Sequence, residues 1–512
     1  MNKNKEIEDL LTSGREGTTQ VVHSRELAAM MESLGCTDGA AKEAGFKDIF
    51  SYAEHVFSYF RADSGTTEAP RRKHRATDFW AEIRRAMRSF SLSLAYAIPW
   101  MALLTLEYLR PNALKVSPEL GGALSLSLIA SLTTSGGFIQ MISRSGNFYY
   151  GLDEPVLARQ TCMSLLNVGL TCSLLAAVLG MMLGFYFQLF TAKYLILAAI
   201  NYVALNLLWM FCAVLSVQKR GWYIPFAFLI SALSSGLIKL VSHAGPTLLL
   251  VLWPLVAVLA ALGFSLAGFS RAEKKRTGAV GTVRPRLGVW AISLVPFYLY
   301  GTVYFSFLFA DRLAAGSAIP WVSGLSFGID PAYKRGMDLV LLAFLVTAAL
   351  AEYLGDSFLR FWHRLAAELP QTANGQLIVR LRRRHWKTKL IIFTVFVITA
   401  LSSWSAFSRL GALASSPRLL QTAALGGLGY LLLNMALLDI IILASVNANS
   451  MALVAVTLGL VANVLTGYSL SHLWGVQYAA VGLLAGSAVV LWKCNAGVRQ
   501  ILRSPDYHYS VS

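Results

Sequence analysis

The 512-residue chain is 56% hydrophobic and 14% charged, with a net charge of +17. Soluble domains carry about 25% charged residues. Here the deficit is concentrated in apolar runs of about 20 residues, the length that crosses a hydrocarbon core as a helix, so a soluble globular protein is excluded. A β-barrel is excluded too, because strands of about 10 residues with strict alternation are missing.

In a membrane chain the positive charge reads as basic cytoplasmic loops facing anionic lipid, with no nucleic-acid partner. The start, Met1-Asn2-Lys3-Asn4-Lys5 leading into Glu6-Ile7-Glu8-Asp9, lacks the apolar core of a cleavable signal, so the first span is expected to act as the insertion signal. No predicted outer loop holds a pair of the five cysteines, and no disulfide framework is expected.

Residues 1–75 form a cytoplasmic extension, partly helical. Phe46, Ile49, Phe50, Ala53, Phe57 and Phe60 recur at helical spacing, which predicts an amphipathic helix near 46–60. A linker over 63–70 and the basic stretch Arg71–Arg75 follow. Over 77–90, Phe79, Trp80, Ile83, Met87 and Phe90 oppose Arg84, Arg85 and Arg88. That pattern fits a helix lying among lipid headgroups, or equally a cytoplasmic extension of the first span.

About twelve spans are predicted, near 91–109, 121–142, 162–187, 194–216, 222–243, 246–269, 288–310, 337–355, 389–407, 420–444, 450–468 and 473–493. The division near 245 rests on Gly245-Pro246, a pair that would equally serve as a kink within one helix. Loop charges orient them. With the N-terminus inside, the cytoplasmic loops hold Lys219 and Arg220, then Arg271 to Arg286, then Arg360 to Lys389, and the C-terminus is also cytoplasmic. The basic loop 271–287 separates an N-lobe (76–270: the interfacial helix and spans 1–6) from a C-lobe (288–512: spans 7–12 and a short tail). Pro99 in span 1 and Pro296 in span 7 sit beside aromatic residues at matching depths, and each would kink its helix. Matched interruptions in two halves point toward a transporter's central site.

Ionisable groups within spans are expensive and read as functional. Glu107, Lys239, Asp338, Glu352 and Asp439 are candidates, with Asp311 and Arg312 at the exit of span 7. Asp439 is the deepest, and it and Lys239 are expected to face a cavity or be paired. Groups near span ends can instead snorkel to water. Thr133-Thr134-Ser135-Gly136-Gly137 in span 2 offers either close helix approach or a polar wall. No Walker A, HExxH, paired CxxC or GxSxG sequence is present, so an enzyme is the weaker class; no cofactor or metal is expected.

Four stretches carry a family resemblance. They are Glu82-Ile83-Arg84-Arg85 followed by Ala95-Tyr96-Ala97-Ile98-Pro99-Trp100; Tyr300-Gly301-Thr302-Val303-Tyr304 ending at Asp311-Arg312; Glu352-Tyr353-Leu354-Gly355-Asp356-Ser357-Phe358 running into Arg360-Phe361-Trp362; and Asn463-Val464-Leu465-Thr466 through Tyr478, with Arg503 and Tyr507-His508-Tyr509. In order and spacing they resemble the PelG-type exopolysaccharide exporters of the multidrug/oligosaccharidyl-lipid/polysaccharide (MOP) flippase superfamily. Ile98 stands where that family usually has glycine, Arg312 where it has lysine, and Asn447 and Asn449 where it has a charged exit.

The resemblance implies an all-α, MATE-like fold of two six-helix lobes around a central cavity, working by alternating access in a bacterial inner membrane. It implies a polymer delivered by a cytosolic glycosyltransferase, with other membrane subunits of a synthase complex as partners. The polymer is cationic, so Glu107, Asp338, Glu352 and Asp439 become acidic groups of the cavity wall, with Lys239, Trp100 and Tyr304 completing the candidate lining. Other readings are a lipid-linked oligosaccharide flippase, a MATE-like drug antiporter, a non-transporting scaffold of a synthase complex, and a membrane glycosyltransferase.

Overall fold

The computed structural model describes residues 117–152, 154–242, 245–274, 287–319, 328, 330–368, 374–409, 416–446 and 448–503, with 38–43, 45–55 and scattered positions between 28 and 102. The chain divides into two compact units, residues 1–85 and 86–512.

In the first unit, helix α1 covers Asp38–Glu43. A second helical stretch runs over 49–55. Asp48 and Ser51 cap its start reciprocally: the Ser51 amide donates to Asp48 Oδ1 at 2.8 Å and the Asp48 amide donates to Ser51 Oγ at 3.1 Å. Ile49 and Ala53 are buried while Phe50 is exposed. Residues 56–60 of the expected amphipathic helix lie outside the described residues.

The second unit is helical, with no strand among the described residues. Its long helices are α2 (Pro118–Gly151), α3 (Pro155–Tyr186), α4 (Ala192–Val217), α5 (Tyr223–Ser242), α6 (Pro246–Lys274), α7 (Leu287–Ser317), α8 (Pro331–Glu368), α9 (Asn374–Arg409), α10 (Pro417–Ser445), α11 (Asn449–Trp474) and α12 (Ala479–Ile501). Among the described residues eleven helices are long and apolar enough to cross a membrane, and they correspond one for one to predicted spans 2–12. Of the first predicted span, helical positions between Ser91 and Ala102 are described. Trp100 and Glu107 lie outside the described residues, as does most of the 77–90 stretch.

Local sequence explains several boundaries. At the starts of α2 and α10 a serine precedes a proline. Ser117 Oγ accepts from the Leu120 amide at 3.3 Å and Ser416 Oγ from the Leu419 amide at 3.2 Å. Serine supplies the missing acceptor and proline occupies a position whose N–H needs none. Gly245 and Pro246 separate α5 from α6 rather than kinking one helix. One boundary differs from expectation. The cations at 380–389 are not in a loop: α9 is helical from Asn374 and carries them.

The surface is inside-out relative to a soluble protein. Leu175, Leu179 and Met182 on α3, Leu233 and Leu240 on α5, and Leu390, Ile398 and Leu401 on α9 are all exposed. Such continuous apolar cover fits lipid and not water.

Helices α2–α6 pack on one another, and so do α7–α12. Among the described residues, extensive packing between the two sets is that of α2 against α7. Glycines make this crossing possible. A Cβ on Gly301 would fall onto the Gly136 carbonyl, and one on Gly137 would meet Tyr298 and the Thr302 hydroxyl. Backbones this close leave no room for side chains.

Helices α8 and α9 have 38 and 36 residues. At 1.5 Å per residue they are about 55 Å long, well beyond the roughly 30 Å hydrocarbon core. Their excess lengths pair with each other at the 369–373 connection. Arg384 donates to Ser357 Oγ at 3.3 Å and stacks over Phe361, 5.6 Å from the ring centroid.

Candidate functional site

Four polar groupings interrupt the apolar interior. The first lies on α7 and α8. Tyr300 and Tyr304, one helical turn apart, stack with centroids 6.0 Å apart. Tyr304 is half-buried, and Glu352 on α8 keeps an exposed side chain. Ser93, from the first predicted span, donates a hydrogen bond to the Glu352 carboxylate. Asp356, one turn further along α8, adds a second negative charge close enough to act on Glu352, and Tyr304 sits within the field of Glu352. This face offers two flat aromatic rings beside two carboxylates. It suits a ligand with apolar ring faces and positive charge.

The second grouping is buried. Asp439 on α10 has no exposed surface, and His385 and Lys389 on α9 are 4% and 3% exposed. His385 Nε2 lies 2.6 Å from Asp439 Oδ1, and Lys389 Nζ donates to Oδ2 at 2.7 Å. Lys389 also lies 3.5 Å from Asn495 Oδ1 on α12. The i, i+4 spacing puts both cation-forming groups on one face of α9. Asp439 therefore has both oxygens engaged inside the protein and offers no free carboxylate to a passing substrate.

The third grouping closes the other end of the α7–α12 set. Tyr333 donates to Asp311 Oδ2 at 2.6 Å, Arg312 donates to Tyr430 at 2.9 Å and lies 3.4 Å from Asp338, and Lys334 lies 3.2 Å from the other Asp338 oxygen. Arg312 also stacks on Phe309. Asp311, Arg312 and Asp338 are thus members of one ionic cluster. Tyr430, Asn434 and Asp439 on α10 are all fully buried, and Asn434 donates to Thr347 of α8 at 2.6 Å. Removing the hydroxyl with Tyr333→Phe withdraws the closest donor from a fully buried carboxylate. The expected cost is about 1–3 kcal/mol of stability, read as a lower melting midpoint of the purified protein; an unchanged midpoint would mean that Asp311 is held by its other neighbours.

The fourth grouping joins α2 to α4. Tyr202 donates to Thr134 Oγ1 at 3.0 Å, Thr134 Oγ1 lies 2.9 Å from Asn206 Oδ1, Trp209 donates to Ser131 Oγ at 3.3 Å and Asn201 to Ser127 Oγ at 2.7 Å. Sequence reasoning singled out Thr134 and missed its α4 partners. The available signal was Asn201 and Asn206 inside an otherwise apolar run.

The remaining candidates do not join these groupings. Lys239 is exposed on α5 and forms no ion pair among the described residues. Pro99 is helical and buried, whereas Pro296 lies inside α7 with an exposed side chain. No cluster of three or more metal-ligating side chains occurs among the described residues.

No family model and no curated protein matches the chain. Solved structures do. A MATE transporter of Vibrio cholerae, solved as a mutant, aligns with a TM-score of 0.54 at 14% identity, over 83% of this chain and 98% of that one. A MATE protein in complex with MaD5 aligns with a TM-score of 0.56 at 11% identity, over 82% and 96%. An outward-facing MATE family transporter of the MOP superfamily gives 0.50 at 13%, over 83% and 97%. At these identities the likeness establishes a MATE-like fold.

Proposed function

We propose that the chain is an inner-membrane transporter of the MOP type that exports a polysaccharide by alternating access, with both termini cytoplasmic. The observation that carries the reading is the Tyr300–Tyr304–Glu352 face, with Asp356 beside it. Stacked tyrosines accept the apolar faces of sugar rings, and the carboxylates attract amino groups of a partly deacetylated polymer. The MATE-like fold supports motion of one helix set against the other. In this reading a cytosolic glycosyltransferase feeds the polymer from the side of the basic helix ends, and further membrane subunits of a synthase complex stand alongside.

The test is Glu352→Gln in cells that display the polymer. Export is expected to fall about tenfold, because a charge-assisted contact contributes about 1.5–3 kcal/mol, while protein level in the membrane stays unchanged. Tyr304→Ala should also reduce export and Tyr304→Phe should preserve it. Full export by Glu352→Gln would overturn the reading.

The fold similarity favours one second reading, a MATE-like antiporter of small organic cations. Purified protein in vesicles that moves a cationic dye, and cells that show no polymer defect, would favour it.

A further inference from the structure

The buried His385–Asp439–Lys389 cluster remains unused by the substrate face. We propose that it is a proton-binding site whose occupancy controls how α9 seats against α10. As a coupling site for export it rests on the transporter reading above; as a proton site it does not.

Charge counting leads to this. One carboxylate faces one ammonium, and the imidazole is the third member. With a neutral imidazole donating from Nε2, the cluster is balanced, and both carboxylate oxygens are engaged. Imidazole is also the side chain whose ordinary titration falls near neutral pH. A proton added at Nδ1 leaves one unbalanced positive charge among three residues none of which is more than 4% exposed. An uncompensated buried ion costs several kcal/mol. No other bond forms or breaks; the step is proton uptake alone.

The surroundings do not relieve that charge. From α12 come the buried Cys494 thiol and Asn495 Oδ1, the latter 3.5 Å from Lys389. From α8 comes the Phe358 ring, edge-on to His385 at 6.1 Å, and Ser357, which is occupied by Arg384. On α10 the neighbours Leu438, Ile440, Ile442 and Leu443 are buried and apolar. Among the described residues Asp439 is the single carboxylate paired with the cluster. A metal ion is a poor alternative occupant, because both oxygens already hold nitrogen partners.

The remaining relief is water. Both nitrogen partners sit on α9, and the acceptor sits on α10. Helix α9 packs mainly along α8 and meets α10 over a short stretch, and its outward side, with Leu390, Ile398 and Leu401, is exposed. Loosening α9 from α10 hydrates the extra charge at small cost in packing. Proton uptake therefore favours the loosened state, and proton release favours the seated one.

The test is hydrogen exchange by mass spectrometry on the full-length protein in lipid nanodiscs, followed in peptides covering 380–395 at pH 6 and pH 8, with times scaled for the intrinsic rate. One linked proton changes an equilibrium by at most tenfold per pH unit. With the ordinary imidazole value of about 6.5 in the hydrated state, protection is expected to be about fourfold greater at pH 8, with no such change in an α4 reference peptide. His385→Gln keeps a donor near Asp439 but cannot take the proton, so the difference should vanish. Lys389→Gln gives a sharper result. With the ammonium gone, imidazolium balances Asp439, and the sign should reverse to greater protection at pH 6. Equal protection of the wild type at both pH values overturns the proposal, as does a persisting difference in His385→Gln. Either result with export intact leaves the transporter reading standing. A normal pH difference with undiminished export in Glu352→Gln does the opposite.

Discussion

Asp439→Asn is expected to destabilise the protein by about 3–5 kcal/mol, the cost of breaking a buried ion pair by removing one partner. The reason lies in what is left behind. Lys389 is 3% exposed and would be left with no carboxylate within reach. The measurement is the unfolding midpoint of purified protein in detergent. A compensating variant separates charge from packing: His385→Phe, Lys389→Met and Asp439→Leu together replace the cluster with apolar volume. Such replacements are often neutral or stabilising, so the triple variant should melt near the wild type. If it melts as low as Asp439→Asn, the loss comes from shape and not from charge.

Gly301→Val is expected to have the second large effect. Its first side-chain atom would collide with the Gly136 carbonyl and approach Gln140 Cγ to 2.8 Å. Neither α2 nor α7 can yield without opening the crossing that joins the two helix sets. Overpacking costs about 1–3 kcal/mol, occasionally more, and export should fall below a tenth of the wild type. The same class of change elsewhere should act in the opposite direction. A Cβ on Gly263, within α6, meets nothing within 4 Å, so Gly263→Ala should stabilise by about 0.5–1 kcal/mol through helix propensity. Equal melting of Gly301→Val and wild type would show that the crossing tolerates separation.

The spans were legible because hydrocarbon imposes one rule on every stretch of chain, whatever it packs against. Even the α5–α6 boundary could be read from Gly245 and Pro246. Helix ends were less legible. Hydropathy marks where lipid stops, and α8 and α9 continue past that point. This is why the partners of Asp439 were missed. His385 and Lys389 look like loop cations when the span is begun at 389, yet α9 carries them inward to a residue 54 and 50 positions away. Gly136 and Gly137 suit either close packing or a cavity wall, and only the partner helix decides between these. Gly301 drew notice as part of an aromatic motif, and its contact with Gly136 is a property of two helices, visible in neither alone.

The length of α9 has one more consequence. Residues 374–389 precede its exposed apolar stretch and, at 1.5 Å per residue, extend it by about 24 Å. Arg384 joins this segment to α8. A tilt of about 10° around a pivot midway along a 54 Å rod moves each tip by about 5 Å. Such a tilt would carry the basic tip, and equally the opposite tip, through about one helical turn, a displacement that a pair of probes at either end would register.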